Sequence, residues 1–192
     1  MKIKLIIFFG TILFCFLAKN AVTELLNAEE EGVKEFILNS PTGPTSLKDY
    51  KGKIVLMYFG FLSCPEACPT TFANVAHAFK KLKKKDLDQV VLLFISLDPE
   101  RDNISDMKDY VEYFHGNIVP LHGDINYVKR VAKFYHAQFR KIDLGEGMGY
   151  TIDHTLNLLV LNRSGEVIKN LGQNHNSISI LRGIEDAIKE FP

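Results

Sequence analysis

Cys64 and Cys68 stand four residues apart in the stretch Gly60-Phe61-Leu62-Ser63-Cys64-Pro65-Glu66-Ala67-Cys68-Pro69. Two thiols at that spacing in a loop can close as a reversible disulfide, or bind one soft metal ion together. A structural disulfide is the plainer use, but such a staple has little need of a strand-to-helix junction or of two flanking prolines. Each cysteine precedes a proline, which disfavours the α region for both. Pro69 suits the first position of a helix, where its missing N–H costs nothing. The pattern predicts a loop holding Cys64 to Cys68, with the regular helix starting near Pro69.

Six histidines compete as third partner. His77, His115, His122, His136 and His175 read as surface or half-buried side chains. His154 differs. It lies in Tyr150-Thr151-Ile152-Asp153-His154-Thr155, immediately before an apolar strand that should run from Thr155 to Leu161. Two thiolates and an imidazole form a three-coordinate soft set suited to Cu(I), and with an added weak ligand the set can hold Cu(II). Zinc is the other candidate, although a structural zinc site normally takes four protein ligands and three are in sight. Asp98 follows a buried strand and can orient His154, pair with Arg101 to shape its loop, or serve as a turn residue. Asp153 is a further candidate for ordering the neighbouring backbone.

The elements that must position these groups follow from the apolar pattern. Ile54-Val55-Leu56-Met57-Tyr58-Phe59 and Val90-Val91-Leu92-Leu93-Phe94-Ile95-Ser96-Leu97 are uninterrupted apolar runs, as parallel strands covered on both faces tend to be. Thr70 to Leu82 has helical spacing, with Phe72, Val75, Phe79 and Leu82 on one stripe. The lysines between Lys80 and Lys85 read as a solvated helix end. A helix over about 104–115, a short strand at 118–121 and a helix capped by Asp124 and running through Tyr135 come next. The glycine-rich segment from Phe139 to Tyr150 lacks periodicity and reads as a flexible loop or hairpin near the site. A second strand at Glu166–Lys169 and a final helix from about Ser177 to Lys189 complete the chain. Two parallel strands joined by a helix, then an antiparallel pair and a last helix, are what an α/β thioredoxin-like fold requires: a mixed central sheet with helices on both faces. The thiols, Asp98 and the segment before Thr155 then gather at one sheet edge.

Composition narrows the class. With 192 residues, a hydrophobic fraction of 46% and a formal net charge of zero, the chain suits one compact domain and lacks the basic surplus of a nucleic-acid binder. Lys2 and Lys4 precede fourteen uncharged residues, Leu5 to Ala18. That run is short for a transmembrane helix, which needs roughly 17–25 residues, and matches a signal-peptide apolar region. No clean cleavage site follows, so the expectation is an exported domain with an uncleaved or slowly cleaved anchor. The predicted organisation is a signal or anchor segment at 1–20, an acidic linker at 21–32 and the domain at 33–192. Cys15 lies in the apolar run after a bulky Phe14 and reads as an ordinary anchor residue. In an oxidising compartment, the remaining close pair of thiols must be kept reduced for a purpose.

Taken together, Tyr58-Phe59-Gly60-Phe61, the Cys64 to Pro69 motif, Asp98-Pro99-Glu100-Arg101-Asp102, Asp153-His154-Thr155 and Gly172-Gln173-Asn174 resemble the Sco/SenC family, from about Val33 to the C-terminus. These are copper-binding, thioredoxin-fold proteins that assist assembly of cytochrome c oxidase. The resemblance implies that Cys64, Cys68 and His154 bind copper and that Asp98 supports the site. It also implies a partner, the copper-bearing subunit of the oxidase, to which copper is delivered or whose thiols are reduced. The expected setting is a membrane-anchored monomer with its domain exported, on the periplasmic face of a bacterial inner membrane or an equivalent compartment. One departure stands out: Leu62-Ser63 replaces the Thr-His or similar polar pair that members often carry before the first cysteine.

Two functions therefore compete, and they can coexist. A metallochaperone holds copper between the reduced thiols and His154; a thiol–disulfide oxidoreductase uses Cys64 and Cys68 as its catalytic pair and has no use for the imidazole. A thiol peroxidase fits poorly, since Phe61 stands three residues before Cys64, where that chemistry wants threonine. A purely structural interaction domain would need neither thiol.

Overall fold

The computed structural model describes residues 33–191. The expected anchor at 1–20, Cys15 and the linker at 21–32 lie outside the described residues. One compact unit begins at Phe36. In chain order its elements are β1 (Ile37–Ser40), β2 (Gly43–Ser46), a single 3-10 turn (Leu47–Tyr50), β3 (Ile54–Gly60), α1 (Ala67–Lys81), α2 (Lys84–Leu87), β4 (Val90–Ser96), α3 (Ile104–Phe114), β5 (Ile118–Leu121), α4 (Ile125–Phe134), β6 (Phe139–Asp143), β7 (Tyr150–His154), β8 (Leu158–Leu161), β9 (Val167–Asn170) and α5 (Ser177–Glu190). Among the described residues no helix is long and apolar enough to cross a membrane.

The five-stranded sheet has the order β5-β4-β3-β8-β9. Strands β3, β4 and β5 run parallel, and β8 and β9 are added antiparallel. Every residue of β3 and β4 is buried, because helices cover both faces of these central strands. On one face Ile54, Leu56 and Tyr58 pack with Phe72, Val75 and Phe79 of α1, Met107 and Val111 of α3, and Ile180 and Ile184 of α5. On the other, Phe59 meets the ring of Tyr135, which caps α4, at 6.4 Å. This is the mixed α/β architecture expected from the alternation of apolar runs and helical stripes.

Two boundaries differ from expectation, and a third segment takes one of the two forms expected of it. Helix α1 starts at Ala67, so Cys68 lies in its first turn and Pro69 is the third helical residue. The first turn tolerates this because its N–H groups lack intrahelical partners anyway. The segment after Phe139 is an ordered hairpin of β6 and β7, whose register runs from Phe139↔His154 to Asp143↔Tyr150. Its turn uses Gly145, Gly147 and Gly149, all at positive φ. Finally, the apolar strand begins at Leu158, not Thr155, so His154 ends a strand of its own.

Candidate metal centre

The site is assembled from three pieces. Strand β3 ends at Gly60 and delivers the loop bearing Cys64, which is half-buried. The first turn of α1 carries Cys68, which is fully buried. The hairpin carries half-buried His154. One donor atom from each of the three residues lies within 4.8 Å of the other two. Both thiols are free.

Local geometry prepares each donor. The backbone N–H of Cys68, at the positive end of α1, donates to Cys64 Sγ at 3.4 Å. The Cys68 thiol also donates to that sulfur, and this pulls the Cys64 thiol down to about 4; a contact from His154 and the N–H groups of Cys68 and Glu66 act the same way, against burial. The same pairing, followed by burial, pushes the Cys68 thiol up. The pair is therefore asymmetric, with a reachable thiolate at Cys64 and a retained proton at Cys68. His154 Nδ1 lies 3.0 Å from the Thr155 carbonyl, an acceptor only, so Nδ1 is turned to the backbone as a donor and Nε2 is the ring nitrogen left for other partners. Edge contacts from Phe61 at 5.8 Å and Tyr58 at 6.3 Å hold the imidazole plane.

Asp98 is fully buried, and its side-chain partners are Arg101 and Tyr150 rather than His154. Its carboxylate accepts from Arg101 Nε, and from the Tyr150 hydroxyl at 2.7 Å. Arg101 also donates to the Tyr150 carbonyl at 2.8 Å, and its guanidinium lies 3.8 Å from the centre of the Tyr150 ring. Lys141 approaches the same ring at 4.4 Å while pairing with Glu100. Of the roles open to Asp98, the geometry shows the Arg101 pair. Through Tyr150 it fastens the hairpin four residues from the imidazole. Asp153, for its part, forms an exposed pair with Arg140.

Sequence reasoning missed three side chains. Asp102, 3% exposed, accepts from Ser96 Oγ at 2.6 Å and from the Leu62 N–H at 3.2 Å, so it ties the thiol loop to β4. Burial raises its carboxyl. Tyr150 carries the clamp just described, and Tyr58 sits beneath the thiols. In the sequence all three stood within quoted stretches, Asp102 in the acidic loop, Tyr58 in an apolar run and Tyr150 before His154, and nothing local marked a role for them. Among the other histidines, His77 and His136 are exposed, His115 stacks on Phe79, His122 faces the Pro99 carbonyl, and buried His175 bonds Thr71 and Gly172. None of them joins the cluster. A cleft of about 380 Å³ opens beside His154, lined by Gln138, Phe139, Arg140, Asp153, Thr155 and Gln173.

The sequence profile of the SCO1/SenC family matches residues 26–189. The chain belongs to the SCO1/SenC family. Among curated SCO1/SenC proteins it is 33% identical over 144 residues to the mitochondrial protein SCO1 homolog 1 of Arabidopsis thaliana, covering 75% of this chain and 43% of that one. It is 32% identical over 171 residues to the mitochondrial SCO2 homolog of Mus musculus, covering 88% of this chain and 67% of the other. The chain thus spans about half to two thirds of the length of these curated relatives. A solved SCO1/SenC structure, Arabidopsis thaliana ScoI with copper bound, superposes with a TM-score of 0.75 at 32% identity, covering 81% of this chain and 97% of that one.

Proposed function

We propose that this chain is a copper carrier that holds the ion through Cys64, Cys68 and His154 and passes it by ligand exchange to the copper-bearing subunit of cytochrome c oxidase. The observation that carries this is the convergence of two sulfurs and an imidazole nitrogen within 4.8 Å. The donor set fits the ion: it is soft, three-membered, and held on one side by apolar packing from Phe61 and Tyr58. The ScoI relative solved with copper bound supports the choice of metal. The apolar run at residues 5–18 supports a membrane-held chain with its domain exported.

The asymmetry of the thiols favours a second, compatible reading as a thiol–disulfide oxidoreductase. Cys64 thiolate attacks one sulfur of the recipient's disulfide, that S–S bond breaks, and the recipient's other sulfur leaves as thiolate. Cys68 then gives up its proton and displaces the mixed disulfide, so the recipient gains two electrons and Cys64–Cys68 closes. A dithiol reductant must reopen the pair before copper can bind.

The test is copper stoichiometry and affinity of the reduced full-length chain in detergent, beside the His154→Ala variant. One copper per chain is expected, with affinity lower by roughly 10-fold or more in the variant, while disulfide-reducing activity persists. A reduced wild-type chain that takes up no copper would overturn the carrier reading.

A further inference from the structure

The Tyr58 side chain is fully buried, and its hydroxyl makes no hydrogen bond among the described residues. Burying an unpaired hydroxyl costs about 1–3 kcal/mol, and phenylalanine would fill the same space without that cost. The hydroxyl end of the ring faces the thiol pair. Its Cε1 and the Cys68 sulfur both lie within 3.0 Å of the point where a Cβ on Gly60 would stand. The ring is wedged among Phe72, His154 and His175, so it cannot turn aside. Thr71 is the other polar neighbour. Its proton is committed, because His175 Nδ1–H donates to the Gly172 carbonyl and leaves Nε2 to accept from Thr71 Oγ at 3.0 Å. The Cys68 sulfur is the hydroxyl's electrostatic neighbour, but as a neutral thiol donating toward Cys64 it is only a weak acceptor, and no bond of full geometry forms.

We propose that the Tyr58 hydroxyl is a hydrogen-bond donor reserved for the Cys68 sulfur once that sulfur holds a metal ion as thiolate. The inference rests on the copper-site reading above. On loading, both sulfurs lose their protons and the Cys68 sulfur becomes a buried thiolate whose neighbouring donors are the Phe61 backbone N–H and this hydroxyl. A phenol keeps its proton at neutral pH, so the hydroxyl is available as a donor. Tyr58 thus acts as a tuning residue on a ligand atom, and the fold meets the cost of the unpaired group in the empty state.

The test compares the full-length wild type with Tyr58→Phe in three measurements. Metal-free thermal stability should be unchanged or higher in the variant, since no bond is lost. Cu(I) affinity, read by competition with a chelating probe, should fall about tenfold, the worth of one hydrogen bond to a charged acceptor. The copper–thiolate absorption band should move to lower energy as the sulfur loses its donor. Equal affinity and an unmoved band in the variant would overturn the proposal, as would a fall in metal-free stability, which would mean the hydroxyl is already bonded in the empty protein. A wild type that binds no copper would instead strike at the carrier reading itself.

Discussion

The two cysteines differ in what surrounds them, and that difference is measurable one residue at a time. Cys64 is half-buried and receives hydrogen bonds from the Cys68 thiol and backbone, whereas Cys68 is enclosed. Iodoacetamide should therefore label Cys64 and spare Cys68, as peptide mapping would report. A thiolate held near pH 4 is already fully formed at neutrality, so the labelling rate should stay level from pH 8 to about 5 and drop only as the pH passes about 4. An ordinary thiol, with a pKa of about 8.5, would lose most of its rate by pH 7. Gly60 makes a second case. Its φ is not the issue; a Cβ there would lie 2.7 Å from Cys68 Sγ and 3.2 Å from the Phe94 ring. Gly60→Ala should cost about 1–3 kcal/mol in denaturant unfolding and weaken copper binding, because the sulfur must shift. Gly116→Ala, where a Cβ meets nothing, is the control and should change stability by no more than about 0.5 kcal/mol.

At the level of elements, the hairpin is the piece that links distant residues to the site. The Tyr150 hydroxyl joins it to Asp98 beneath, and Arg101 closes the clamp from the side. Tyr150→Phe should loosen the hairpin at a cost of about 1–2 kcal/mol. Hydrogen exchange should then quicken across Phe139–Asp143 and Tyr150–His154 while Ile54–Gly60 stays protected. The central strands were legible in the sequence because both faces are covered, which leaves uninterrupted apolar runs such as Val90 to Leu97. The hairpin was legible only as one of two forms, loop or hairpin, since one buried residue, Ile152, stands among exposed Arg140, Lys141 and Asp153, too thin an alternation to signal a strand. The start of α1 was misread for a related reason: a proline marks the first turn of a helix without fixing which of its positions it holds. Cys64, Cys68 and His154 could be named from residue type and neighbourhood. The partners of Asp98, and the burial of the Tyr58 hydroxyl, depend on tertiary placement that no local pattern encodes.

For the whole molecule, the core owes nothing to a metal. Phe72, Phe79, Phe94 and the aliphatic residues around them, none of them a metal ligand, pack against one another with helices over both faces of the sheet. Stripping copper with a chelator and a reductant should leave the circular-dichroism spectrum and a single cooperative melt intact. The melting temperature should fall only by mass action, equivalent to about 2.7 kcal/mol when the free ion stood at 100 times its dissociation constant. Collapse of the fold on stripping would mark a structural site instead. The hairpin of β6 and β7 is also a sheet unto itself, bonded to no strand of the main five. Lifting it would break the Asp98 clamp and some packing, but not one rung of the central ladder. On the carrier reading, His154 and the two sulfurs therefore stand on pieces joined by side chains alone, and parting them would leave the backbone ladder whole.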